Sequence, residues 1–269
     1  MASDKIVEIS KELFNILSSL NVRNVLGKSL VFRKTDDGCT CTRFDEETKN
    51  VFFSLIFDEY SFRFPGDQIT FNDYSVFLDA VKRQGFLKDP TFRMTRTADK
   101  KGNDVLQISN KKSSMSYKLY NPNAYPDDMG FLEEISIENL DPIQFSFNMN
   151  RTTIAEIAER CQSRFFECDY FYFIKKPECL VMCFTGPHDL DYKIKLEKDE
   201  VEGFDNIDIG EEIKFSFNCF TLMNQIGFDY KLSLLSKDDN NNMLCHSVVT
   251  FENQTVNSLI LSPSKFSNE

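Results

Sequence analysis

The chain has 269 residues, room for one large domain or two of ordinary size, and 41% of them are hydrophobic. That apolar content rests on 27 Phe with no Trp, a bulky ring on two rotatable bonds that suits strands. A net charge of −11 and a pI near 4.8 exclude a protein that grips phosphates over its whole surface; nucleic acid, if met, is met by a small part of it.

Residues 3–19 read as a helix, capped by Ser3 or Asp4, with Ile6, Ile9, Leu13, Ile16 and Leu20 on one face. Short strand patterns follow at 29–34, 39–44 (after an Asp36-Asp37-Gly38 turn), 51–57 and 61–64, the last stopped by Pro65-Gly66. Ile69-Thr70-Phe71-Asn72 leads into a second helix over 73–84, which turns Tyr74, Phe77, Leu78 and Val81 inward and ends before Gly85. Three more strands are predicted at 92–98, 105–110 and 113–120. The run 121–130, with two prolines and no periodicity, reads as a linker punctuated by Tyr125 and, just beyond, Phe131.

The second half repeats the plan. A strand at 143–148 enters a helix over 152–165, with Ile154, Ala158, Cys161 and Phe165 inward. Strands follow at 168–174, 180–185 and 192–198. A strand ending at 218 then enters a short helix over 219–226, and strands at 230–236, 244–251 and 256–261 finish the chain. The run 237–242 reads as a solvated turn. Phe145-Ser146-Phe147-Asn148 returns as Phe215-Ser216-Phe217-Asn218, each time before a helix. A strand-then-helix unit that recurs marks a domain built twice. The expected organisation is 1–120, a linker over 121–141, and 142–269. The fold class is α+β, each half with two helices covering antiparallel sheets.

Chemistry is sparse. Eight cysteines follow no zinc spacing and no Cys-x-x-Cys occurs, so reduced thiols in a cytoplasmic protein are expected, with no metal and no cofactor. The start of the chain lacks the apolar core of a signal peptide, and no run is long enough to span a membrane. Gly27-Lys28-Ser29 resembles the end of a phosphate loop, but Val22 stands where its first glycine belongs. His188 falls in a loop and His246 in a strand pattern, and neither has a nucleophile motif beside it. The acidic run Asp205–Asp208 lacks the alternating oxygens of a calcium loop. The reading is therefore not an enzyme. The remaining signal is basic: Lys11, Lys82, Arg83, Arg151, Arg160 and Arg164 sit on predicted helices or at their starts. Arg160 and Arg164, four apart, would share a flank.

Three stretches carry a family resemblance. They are Lys11-Glu12-Leu13-Phe14-Asn15-Ile16-Leu17, Pro142-Ile143-Gln144-Phe145-Ser146-Phe147 leading to the helix that holds Ile154 and Cys161, and the tail Leu259-Ile260-Leu261-Ser262-Pro263-Ser264. Together with the repeated halves and the acidic total they resemble the sliding clamps that serve as processivity factors of DNA polymerases. The layout is most like the clamp of T-even bacteriophages, and the tail resembles the Leu-Ala-Pro ending of proliferating cell nuclear antigen.

The resemblance implies three subunits joined head-to-tail into a ring of six DNA-clamp domains, with helices lining a hole around double-stranded DNA and no sequence readout. The basic residues just named would line that hole, although the helix at 219–226 offers none. Subunits would join by edge strands: Ser113, Met115, Tyr117 and Leu119 on one side, Tyr192, Ile194 and Leu196 on the other. The strand at 256–261 would pair with 51–57 of its own chain. Tyr120, Tyr125, Phe131, Leu261 and Pro263 would form the pocket for peptides of a DNA polymerase and a clamp loader. The implied partners are DNA, polymerase, loader and two further copies in a homotrimer, with no membrane; the place is the cytoplasm, of a host cell if the protein is viral. The competing class is an acidic interaction protein, a DNA mimic or a virion component.

Overall fold

The computed structural model describes residues 6–9, 30–36, 38–44, 52–58, 62–71, 73–83, 93–119, 143–163, 166–186, 191–237, 240–251 and 254–266. In chain order the elements are β1 (Ile6–Ile9), β2 (Leu30–Thr35), β3 (Gly38–Phe44), β4 (Phe52–Asp58), β5 (Phe62–Arg63), β6 (Gln68–Phe71), α1 (Tyr74–Arg83), β7 (Arg93–Ala98), β8 (Asp104–Ser109) and β9 (Ser114–Lys118). There follow β10 (Ile143–Met149), α2 (Arg151–Cys161), β11 (Gln162–Ser163), β12 (Phe166–Glu167), β13 (Tyr170–Lys176), β14 (Cys179–Thr185), β15 (Asp191–Glu197), β16 (Val201–Glu202), β17 (Ile213–Ser216), α3 (Asn218–Ile226), β18 (Tyr230–Lys237), β19 (Asn240–Phe251) and β20 (Gln254–Phe266). The architecture is α+β and dominated by sheet. The chain folds as two compact units, one of Met1–Arg43, Ser54–Leu132 and Val248–Asn257, the other of Phe44–Phe53, Glu133–Ser247 and Ser258–Glu269.

In the first unit the sheet order is β5-β1-β7-β8-β9, antiparallel throughout. A second group runs β6-β2-β3-β4, and β4 also pairs with β20, as the strand expectation had it. There the Thr255 amide donates to Asp58 Oδ2 at 2.6 Å. Tyr74, Phe77, Leu78 and Val81 of α1 are buried, and Phe77 lies 4.6 Å from Phe71 ring to ring. Ile6–Ile9 corrects the helix expected over 3–19. Three of its four residues are β-branched, and the segment is held between β5 and β7 with Val7 buried, an environment that outweighs the 3.6-residue spacing of Ile6 and Ile9. Residues 10–19 lie outside the described ones, so one helix of the expected two is described here.

The second unit orders its strands β15-β14-β13-β17-β20-β19-β18-β10-β16, with β11 and β12 as a separate pair. Its core is built of rings: Phe145, Phe147, Phe171, Phe173, Phe184 and Phe215 are all buried, and Phe145 meets Phe173 edge-on at 5.3 Å. Both copies of Phe-Ser-Phe bury their rings, yet they end differently. After Phe147 the strand continues to Met149, and Asn150 caps α2 by accepting the Thr153 amide at 2.9 Å. After Ser216 the strand stops, and Phe217 already has helical angles before α3.

Two further expectations change. The helix predicted to reach 165 ends at Cys161, where the chain turns into the β11–β12 hairpin, so it does not extend to position 164. Asn240, Asn241 and Asn242 belong to β19, not to a solvated turn: they pair with Lys237, Ser236 and Leu235, and Asn241 is buried.

Candidate functional site

Helices α2 and α3 pack on each other. Ile154, Ile157, Ala158 and Cys161 form the inner stripe of α2, which leaves Arg151, Thr152, Ala155, Glu156, Glu159 and Arg160 exposed. Two arginines and two glutamates cancel along that face. α3 adds no charge to it: its residues are Asn218-Cys219-Phe220-Thr221-Leu222-Met223-Asn224-Gln225-Ile226. Gln162 donates its side-chain amide to the Thr221 hydroxyl, a bond between the end of α2 and α3. The positive end of α2 is already served, since the Arg151 amide donates to Asp229 Oδ1 at 2.7 Å beside the Asn150 cap. Any attraction for phosphate on this face comes from side chains and not from the helix end.

Arg160 does not simply project into solvent. Its guanidinium lies 5.3 Å from the ring centroid of Tyr192 on β15, in cation–π contact. Burial pushes the Tyr192 hydroxyl up from its ordinary range, and the Arg160 charge opposes that shift. Tyr192 also stacks 5.8 Å from Phe184. In the first unit Lys82 and Arg83 fall in the last turn of α1, though their side chains are outside those described. Lys11 and Arg164 lie outside the described residues.

The edge strands carry the clearest geometry. Among the described strands, β9 pairs only with β8 and β15 only with β14. Other sheet ends are shorter: β5 and β16 have two residues each and β6 has four, against five in β9 and seven in β15. On β9, Met115 and Tyr117 oppose Ile108 and Leu106 and are half-buried; Ser114, Ser116 and Lys118 are exposed. On β15, Tyr192, Ile194 and Leu196 oppose Phe184, Met182 and Leu180. The other face of β15 holds Lys193 and Lys195, each paired with a neighbouring acid, Asp191 and Glu197. Ser113 is exposed in the turn before β9, and Leu119 just after it is buried. Both strands thus keep apolar side chains half-covered and, among the described strands, have one side unpaired.

Each edge tyrosine also touches a helix end. Tyr117 Oη accepts the Asp73 amide and donates to the Asp73 carbonyl, both at 2.9 Å, immediately before α1. Neither this tie, across 44 positions, nor the Arg160–Tyr192 contact had a local sequence signal.

Of the pocket candidates, Tyr120, Tyr125 and Phe131 lie outside the described residues. Leu261 is 8% exposed and Pro263 half-buried, both inside β20. Pro263 has no amide to give the ladder, and the Ser216 amide donates to Ser262 Oγ at 3.1 Å next to it. Among the described residues no cluster of His, Cys, Asp and Glu is placed to hold a metal ion, and no helix is long and apolar enough to cross a membrane. Burial pushes the Cys39, Cys183 and Cys219 thiols up, away from the reactive thiolate.

The fold defined by these sheets and helices is that of a sliding clamp. The chain superposes on proliferating cell nuclear antigen from Entamoeba histolytica with a TM-score of 0.61 at 13% identity, over 97% of this chain and 99% of that one. It is similar to the same protein from Thermococcus kodakaraensis, with a TM-score of 0.59 at 16% identity over 96% and 99%. It also resembles the DNA polymerase III subunit beta sliding clamp of Bartonella birtlesii, with a TM-score of 0.55 at 9% identity, covering 97% of this chain but 62% of that one. No family model matches the sequence, and no curated protein does.

Proposed function

We propose that this protein is a DNA sliding clamp, a ring of identical copies that encircles duplex DNA and tethers a replicative DNA polymerase after a clamp loader places it. The observation that carries the reading is the pair of long open edges, β9 and β15, on a chain whose fold matches clamps along nearly its whole length. Two different edges on one chain make a head-to-tail interface, and such an interface closes into a ring when the rotation permits. Two units per chain give six units in a homotrimer. In this reading Met115 and Tyr117 meet Tyr192 and Ile194 of the next copy, flanked by Ser113, Leu119 and Leu196.

Lys11, Lys82, Arg83, Arg151, Arg160 and Arg164 face the duplex, while the acidic remainder repels it, so DNA is held by topology and slides. Tyr120, Tyr125, Phe131 and Pro263 receive the partner peptide, and Leu261 supports them from within β20. The likeness in layout to T-even bacteriophage clamps makes a viral replication complex in a host cytoplasm the setting of this reading. The chain serves as a scaffold and not as an enzyme.

The test is solution mass by light scattering over a dilution series, followed by retention on loaded circular DNA. Three copies of the 31.3 kDa chain give about 94 kDa. Retention on circular DNA with release from linear ends supports the clamp. Binding to a DNA-binding protein with steep salt dependence, and no retention on circles, supports a DNA mimic instead.

A further inference from the structure

All eight cysteines are reduced and buried. Two pairs of thiols lie close enough to influence each other, Cys161 beside Cys168 and Cys219 beside Cys245. The second pair is fully enclosed, both members at 0% exposure, whereas Cys168 keeps 7% of its surface in contact with solvent. The backbone also separates them. The β11–β12 hairpin sets Gln162 opposite Glu167 and Ser163 opposite Phe166, and the Cys168 amide donates to the Cys161 carbonyl at 3.0 Å. Cys161 and Cys168 are therefore the next opposed pair of the same hairpin. Opposed residues of an antiparallel pair have Cα atoms about 4.5 or 5.5 Å apart. Both spacings lie within the range of about 4.4–6.8 Å that a disulfide spans.

We propose that Cys161 and Cys168 form a redox-active dithiol that closes to an intramolecular disulfide on reaction with a low-molecular-weight disulfide such as oxidised glutathione. Cys168 is the attacking thiol. It keeps 7% of its surface exposed against 1% for Cys161, and its thiol donates to the Tyr170 carbonyl at 3.0 Å, a bond it gives up on ionising. The Cys168 thiolate attacks one sulfur of glutathione disulfide, forming a mixed disulfide and releasing one glutathione. The Cys161 sulfur then attacks Cys168 Sγ, breaks the mixed disulfide and releases the second glutathione. Two protein thiols are oxidised, one glutathione disulfide is reduced, and the two thiol protons end on the two glutathiones.

Access comes from opening a hairpin held by only two residue pairs. The product ties the end of α2, one residue from Arg160, to the entry of β13. This inference is independent of ring assembly and of DNA.

The experiment is oxidation of the native full-length chain with oxidised glutathione, then alkylation of remaining thiols under denaturing conditions, intact mass and peptide mapping. The expected result is loss of two hydrogens, a peptide link between Cys161 and Cys168, alkylation of every other cysteine, and reversal by dithiothreitol. Cys161→Ser should instead stop at a glutathione adduct on Cys168. A lasting adduct on the wild-type chain, a link between other cysteines, or full alkylation of all thiols would overturn the proposal. So would a link that forms only in urea. The wild-type result decides the matter even where the serine variant fails to fold.

Discussion

The two open edges solve one problem with different chemistry. On β9 the edge tyrosine, Tyr117, is tied to the start of α1 by two hydrogen bonds to the Asp73 backbone. On β15 the edge tyrosine, Tyr192, lies under the guanidinium in the last turn of α2. The first tie is between neutral groups and indifferent to salt. The second is between a cation and a ring at an exposed site, worth about 0.5–1 kcal/mol and open to competition from any nearby anion. Two edges of one sheet type can thus respond differently to the same conditions. In the proposed ring, β9 would be the rigid half of each interface and β15 the adjustable half.

The largest expected effect breaks the edges themselves. Met115→Asp on β9 and Ile194→Asp on β15 should each abolish the ring of about 94 kDa and leave the 31.3 kDa chain folded, as read by light scattering and circular dichroism. Mixing the two variants is sharper. Each keeps one intact edge of opposite kind, so the mixture should yield a single heterodimer of about 63 kDa, twice the 31.3 kDa chain. A ring that survives either change, or a mixture that stays monomeric, would remove these strands as the head-to-tail interface.

Much of this was legible in the sequence, and the reasons are local. Strand and helix periods in the second half are strong because rings alternate with polar residues: Phe145 and Phe147, Phe171 and Phe173, Phe215 and Phe217. Pairing of the last strand with β4 followed from the clamp resemblance and holds in the sheet order. The first strand was misread because Ile6 and Ile9 satisfy a helical spacing as readily as a strand, and only the pairing partners β5 and β7 decide between them. Arg160 was recognisable as basic but not as a partner of Tyr192, since a contact between a helix and an edge strand leaves no pattern along the chain. The Asn240–Asn242 run was misread because asparagine favours turns, and here the ladder with β18 overrides that preference.

The comparison sharpens when the second unit is weakened from inside and not from its edge. Leu261→Asp places a carboxylate at a site only 8% exposed and should cost about 3 kcal/mol in urea unfolding. Pro263→Asp, two residues on and half-buried, should cost less than about 1 kcal/mol. Only the second variant therefore tests the peptide pocket. In the reading proposed, it weakens the polymerase-peptide affinity with ring mass unchanged. Equal losses of stability would show that β20 is less firmly seated than its burial indicates.

Next in size is the neutral tie. Tyr117→Phe keeps the ring against Phe71 and Phe77 but deletes both hydrogen bonds to Asp73, for a loss of about 1 kcal/mol. The loss should be the same at low and high salt. A salt-dependent loss would mean that the hydroxyl acts through charge and that the contrast between the edges is wrong.

The smallest effect, and the most telling, belongs to Arg160. Arg160→Ala should lower stability by about 0.5 kcal/mol and, unlike Tyr117→Phe, the difference should shrink as salt is raised. Arg151 starts the same helix at the opposite margin of its exposed surface, nine residues and about half a turn round the axis from Arg160, which covers the Tyr192 ring. If both arginines face DNA, Arg151→Ala should reduce the slope of log affinity against log salt for a short duplex by about 0.9 for each phosphate it no longer neutralises. Arg160→Ala should change it less, because its guanidinium is already committed to Tyr192. Equal changes would place Arg160 on the duplex and not on the ring of Tyr192. No change from either would leave α2 as part of the outer surface, and the attraction for DNA would then have to come from the first unit.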